Sequence, residues 1–162
     1  MEVTQHDAGL GVSIFALALI AFGFYVSRMV AHTQVVSEGI AQWPRWGWVQ
    51  SPIIFEPPPA LRQPQQTVLR GGECEVTITS SPERGIPQRH FMVCFADQIH
   101  FEFWLVSDTI AGIRYRPLKD AKQVSALGML LEWSHPKQYA LVKRFCEACL
   151  EEVEYRRFGP RR

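Results

Sequence analysis

Cys146 and Cys149 enclose Glu147 and Ala148 in a Cys-x-x-Cys spacing, the one arrangement in this chain that matches a chemical motif. Two thiols so placed can cycle between dithiol and disulfide, or supply half of a zinc site, when a helix N-terminus or a metal stabilises the thiolate. The surrounding residues oppose that chemistry. The pair falls well inside a helical pattern, on its apolar face, and Glu147, Glu151 and Glu152 disfavour a thiolate. Two small buried hydrophobes are expected here.

A zinc site would draw its other ligands from Cys74, Cys94, His90, His100 and His135, without a second Cys-x-x-Cys or a His-x-x-x-His to organise them. Strand alternation puts His90 with Cys94, and His100 with Glu102, on shared faces. There is no G-x-S-x-G elbow and no phosphate-binding glycine loop. The expectation is a chain with no catalytic, cofactor-binding or metal-binding set. The near-balanced net charge of +1 gives no field that would attract nucleic acid.

The elements that would carry these residues begin with residues 8–27, AGLGVSIFALALIAFGFYVS, which contain no charge. At about 1.5 Å per residue, roughly 20 apolar residues cross the hydrocarbon core of a bilayer. Leu10, Ile14, Leu17, Leu19, Ile20, Phe22 and Phe24 are its lipid-facing anchor candidates. The preceding MEVTQHD has no Lys or Arg, and no Ala-x-Ala site follows, so an uncleaved anchor is expected instead of a secretory signal. Arg28 directly after the span, and Arg45 beyond it, place the C-terminal part in the cytoplasm by the positive-inside rule. Residues 1–31 form the anchor with its short tail, and residues 32–65 a juxtamembrane extension and tether.

Residues 29–42 can prolong the helix, with Met29, Val30, Val36 and Ile40 loosely on one side. Trp43, Arg45, Trp46 and Trp48 follow as an interfacial group, since indole rings favour the headgroup region. The same tryptophans could instead fold back onto the soluble part, because a straight helical extension carries them roughly 20 Å past the span. Pro52, Pro57, Pro58, Pro59 and Pro64 make residues 51–64 a stiff extended spacer.

From residue 66 to 162 a soluble α+β domain is expected. The period changes to two: Cys74, Val76 and Ile78 alternate with Glu73, Glu75, Thr77 and Thr79. SSPERGIPQ reads as a loop. RHFMVCF and IHFEFWLV put Phe91, Val93, Phe95 and then Ile99, Phe101, Phe103, Leu105 on one face, and TIAGIRYR is a further strand. Residues 126–133 fit a last strand or a helix, and the strand is favoured because Ser134-His135-Pro136 starts a new element directly after them. Pro136 then opens a helix to about Arg157, whose apolar face is Leu141, Val142, Phe145, Cys146, Cys149, Leu150 and Val153. The expected fold is an antiparallel sheet of about five strands closed by this long amphipathic helix.

Glu102, Trp104 and Val106 lie on the sheet face opposite the core. They are the candidate partner surface, because an aromatic side chain there has no core to fill. The functional expectation is a single-pass, membrane-anchored, non-catalytic interaction module, either an accessory subunit or an immunity-type inhibitor. Its partners would be the lipid bilayer and another protein. The alternatives are a thiol-redox or zinc-binding domain using Cys146 and Cys149, and a membrane-active toxin or pore component. The last would need a polar stripe that the span lacks.

Overall fold

An apolar helix of unusual length leads the chain. The computed structural model describes residues 4–43, 66–83, 86–96 and 98–159. Helix α1 covers Thr4–Ala41, about 57 Å at ~1.5 Å per residue. Its stretch from Ser13 to Ala41 is long and apolar enough to cross a membrane. The anchor candidates Ile14, Leu17, Leu19, Ile20, Phe22 and Phe24 are all exposed to the surroundings; of Leu10 only the backbone, within α1, is described.

Six strands follow: β1 (Gln66–Gly71), β2 (Cys74–Glu83), β3 (Ile86–Phe95), β4 (His100–Val106), β5 (Thr109–Arg116) and β6 (Val124–Leu127). They form one antiparallel meander in sequence order, β1-β2-β3-β4-β5-β6. Two helices follow the sheet: the short α2 (Gly128–Ser134) and the long α3 (Pro136–Phe158). The fold is α+β, as the alternation of apolar residues implies.

Three local expectations are corrected. SSPERGIPQ is not simply a loop: β2 and β3 pair out to Pro82 opposite Pro87 and Glu83 opposite Ile86. Residues 126–133 are not one strand; β6 ends at Leu127 and Gly128 starts α2. Closure of the sheet is not the work of the C-terminal helix alone. The last turns of α1 pack beside β6 and β5, and α2 beside β5, while α3 contributes side chains to the same core.

Register explains that core. Val76, Val93, Phe101 and Tyr115 stand side by side across β2 to β5, and Ile78, Phe91, Phe103, Ile113 and Ala126 form the next row through β6. All are buried. Strand residues two apart share a face, so one row of large apolar side chains stacks beside the next. On the other face, Val68 and Thr77 oppose one another and are also buried.

The cover comes from a stripe at helical spacing on α1: Thr33, Val36, Ser37, Ile40 and then Trp43 just beyond it. Trp43 is 1% exposed. Its ring meets Phe101 edge-on at 5.2 Å, Phe103 at 5.8 Å and Phe145 at 5.7 Å. Trp43 is therefore a core residue and not an interfacial one, because the sheet offers an aromatic cage that the headgroup region cannot match. Val30, grouped loosely on one side with Val36 and Ile40, is exposed while those two are buried. Arg45, Trp46 and Trp48, and the proline-rich spacer, lie outside the described residues.

Candidate functional site

Alternation on β4 turns Glu102, Trp104 and Val106 away from the core, as expected. Cross-strand register then assembles their neighbours. His90 of β3 stands opposite Trp104, and Arg114 of β5 opposite Glu102. Gly112 faces Trp104 on β5, so no side chain there blocks the indole. The register shifts between Trp104 and Leu105, an irregularity of the kind that re-aims a side chain.

The contacts are ordered around one carboxylate. Glu102 Oε2 accepts from His90 Nε2 at 3.1 Å and from Arg114 Nη1 at 3.3 Å. Glu102 Oε1 accepts a longer bond, 3.5 Å, from Gln123 Nε2. The imidazole of His90 stacks on Trp104 with centroids 4.9 Å apart and planes 17° apart. The guanidinium of Arg114 sits 4.8 Å from the centre of the Trp104 ring. One acid thus holds an imidazole and a guanidinium against an indole. The Arg114–Glu102 ion pair, half-exposed, is worth up to about 1 kcal/mol, and the cation–π contact of Arg114 with Trp104 about 0.5–1 kcal/mol. The arrangement fixes side chains that would otherwise be mobile, which suits recognition better than proton transfer.

Two concavities flank this cluster. One, of about 220 Å³, lies over Met92, Cys94, His100, Glu102, Arg114 and Arg116. The other is an open groove of about 450 Å³ where α1 passes β6, and Trp104 and Arg114 line it from the sheet side.

The thiols are placed differently from a redox pair. Cys146 and Cys149 are both buried in the core. Burial raises the pKa of Cys146, with a smaller contribution from Glu147. Burial does the same for Cys149, followed by Cys146, Cys74 and Glu152. Cys74, packed against the core, is raised from 9.0 to about 12, mainly by burial and then by Cys94 and Glu75. Cys74 and Cys94 stand one residue out of register on adjacent strands, Cys74 opposite Phe95 and Cys94 opposite Glu75. They project to opposite faces, so they are not placed to form a disulfide with one another. All four cysteines are free.

Among the described residues, no group of three or more His, Cys, Asp or Glu is arranged to hold a metal. His90, Cys94, His100 and Glu102 do share the outer face, but Glu102 is engaged by His90 and Arg114.

These placements give a measurable consequence. In the unfolded chain the core thiols ionise from about pH 9.0, whereas folded Cys74 resists to about pH 12. Their contribution to stability is complete below pH 9.0 and is lost as pH rises toward the folded value, because the unfolded state then releases protons first. Urea titrations of the full chain at pH 8 and pH 10.5 are expected to show a lower midpoint at the higher pH. Replacing Cys74, Cys146 and Cys149 by Ala should flatten that difference. Thiol labelling at pH 8 should reach Cys94 first, and Cys146 and Cys149 only on unfolding.

Sequence reasoning missed His90 and Arg114 as partners of Trp104, since each lies 12 residues from Glu102 and meets it only through strand register. It also missed Met129 and Trp133, one turn apart on α2 and strongly exposed, Trp133 at 82%. An i, i+4 apolar pair was the available signal, concealed by the strand reading of residues 126–133. No family model, curated protein or solved structure matches this chain.

Proposed function

We propose that this chain is a single-pass, membrane-anchored protein-interaction module without catalytic function, acting as an accessory subunit or an immunity-type inhibitor held beside its target. Its soluble part faces the cytoplasm, in keeping with Arg28 and Arg45 after the span. The docking surface is the outer sheet face around Glu102, Trp104 and Val106.

The observation that carries this reading is the pre-ordered Trp104 cluster. Trp and Arg dominate the energetics of protein interfaces, above all where little side-chain entropy remains to be lost on binding. Here the indole is already held by His90 and Arg114, and both are held by Glu102. A rigid aromatic centre with a polar border on an antiparallel sheet is the anatomy of a binding patch.

Purification of the full chain from membranes in mild detergent is expected to recover one protein in stoichiometric amount. Trp104→Ala should weaken that association by at least about 30-fold, the scale of a hot-spot loss of ~2 kcal/mol. Trp133→Ala should leave it intact. Recovery of the chain alone, or a complex sensitive to Trp133→Ala but not to Trp104→Ala, overturns the assignment.

A further inference from the structure

The groove between α1 and the sheet borders the proposed docking face, with which it shares Trp104 and Arg114, and adds to them residues of α1. Tyr25, Arg28 and His32 line it from α1, and Trp104, Arg114 and Leu127 from the strands. Its floor is apolar, completed by Met29, Ile113 and Ala126. Two guanidiniums and an imidazole border it. Among the described residues no carboxylate lines it; Glu102, outside the lining, is bonded to Arg114 and His90. The groove therefore pairs an apolar trough with a basic border, Arg28 adding its charge to an Arg114 already shared with Glu102.

Its height follows from the sequence. The uncharged run ends at residue 27 and Arg28 is the first basic residue after it. Roughly 20 helical residues consume the hydrocarbon thickness, so Arg28 emerges at the level of lipid phosphates. Tyr25, one turn earlier, sits where tyrosine rings favour the interface.

We infer that this groove binds one anionic phospholipid, its phosphate between Arg28 and Arg114 and the upper part of an acyl chain along Tyr25, Met29 and Leu127. The inference rests on α1 spanning a bilayer; it shares Trp104 and Arg114 with the proposed docking face but does not require a protein partner. The lipid's charge complements the two arginines, while its tail complements the trough. A free phosphate would leave the trough unfilled, and an apolar ligand would leave Arg28 unmatched. Bound there, the lipid ties the sheet to the membrane surface on the side where Trp104 faces outward.

The test uses the full chain in neutral detergent, titrated with short-chain phosphatidylglycerol, phosphatidylcholine of the same tails, or inorganic phosphate, and followed by thermal unfolding and native mass spectrometry. Phosphatidylglycerol is expected to raise the melting temperature saturably and to appear as a single bound copy, with the other two giving little effect. Arg28→Gln and Leu127→Glu should each weaken binding about five- to tenfold, the scale of one lost or opposed charge near a lipid surface. Arg28→Lys should restore most of it. Equal effects of the two lipids would reduce the groove to an apolar surface, and a response to phosphate alone would make the ligand a free anion. An unsaturable response, or one indifferent to both substitutions, would mean diffuse attraction. Each of these three results overturns the proposal. Recovery of the detergent-free chain in the soluble fraction would instead remove the span on which it rests, and loss of the protein partner leaves it standing.

Discussion

A chain shortened to residues 66–162 is expected not to fold, although it contains every strand and both C-terminal helices. Val36, Ile40 and Trp43 are fully buried or nearly so, and all three come from the end of α1 or just after it. Removing a buried tryptophan alone costs about 3–5 kcal/mol, because the side chain's transfer energy is lost and a cavity remains. Fully burying each aliphatic residue stabilises by roughly 1.5–3 kcal/mol. A domain of this size is stable by only about 5–15 kcal/mol, so the loss of all three leaves the sheet without a lid. In a chain that begins at residue 29 the stripe is present, and a cooperative urea transition is expected. Trp43→Ala in that chain, or in the full chain, should lower the unfolding free energy by about 3–5 kcal/mol. A sharp two-state transition for residues 66–162 would refute the role given to α1.

The second large effect is expected at Gly128. A Cβ built there would fall 1.8 Å from the backbone oxygen of Ile110 and 2.7 Å from its carbonyl carbon. Gly128 is the first residue of α2, and α2 packs directly beside β5. A side chain can rotate away from a clash, but the carbonyl of a paired strand cannot. Gly128→Ala should therefore cost about 3 kcal/mol or more, the upper end of overpacking.

Gly39 provides an intermediate comparison. Its added Cβ would lie 2.6 Å from Cζ of Tyr115, and that ring is stacked on Phe101 at 4.5 Å. The ring can shift at the expense of the stack, so Gly39→Ala should cost about 1–3 kcal/mol. Nothing lies within 4 Å of the corresponding position at Gly23, and Gly23→Ala should be neutral or slightly stabilising through helix propensity. Thermal unfolding of the three variants is expected in that order. A Gly128→Ala protein that melts with the wild type would mean that α2 does not rest on β5.

Much of this architecture was legible because two-residue periodicity is strong where one sheet face is buried. The alternation in residues 74–79, 91–95 and 99–105 identifies the inward side chains without knowledge of pairing. Pro136 and the spacing from Val142 to Cys149 likewise mark α3, observed at Pro136–Phe158. The apolar span was legible from length alone.

The failures have physical causes. Thr33 and Ser37 belong to the buried stripe of α1, but their polar side chains interrupt its apolar signal, and the preceding span swamps it. Pro82 and Pro87 suggested a loop, yet they face one another near the end of a hairpin, where lost donors matter less. The candidate site shows the same division. Periodicity exposed Trp104 and Glu102. Their union with His90 and Arg114 depends on hairpin lengths and on a register shift, neither of which a single strand's pattern encodes.

The continuity of α1 has a mechanical result. The helix enters the core without a break between Ser13 and Ala41, so with its first part in a bilayer the sheet has no swivel at that junction. Any tilt of the rod in the lipid becomes a lever stroke at the strands. Held in a bilayer in that way, the sheet would take its height and tilt relative to the lipid surface from the rod while still turning freely about the membrane normal.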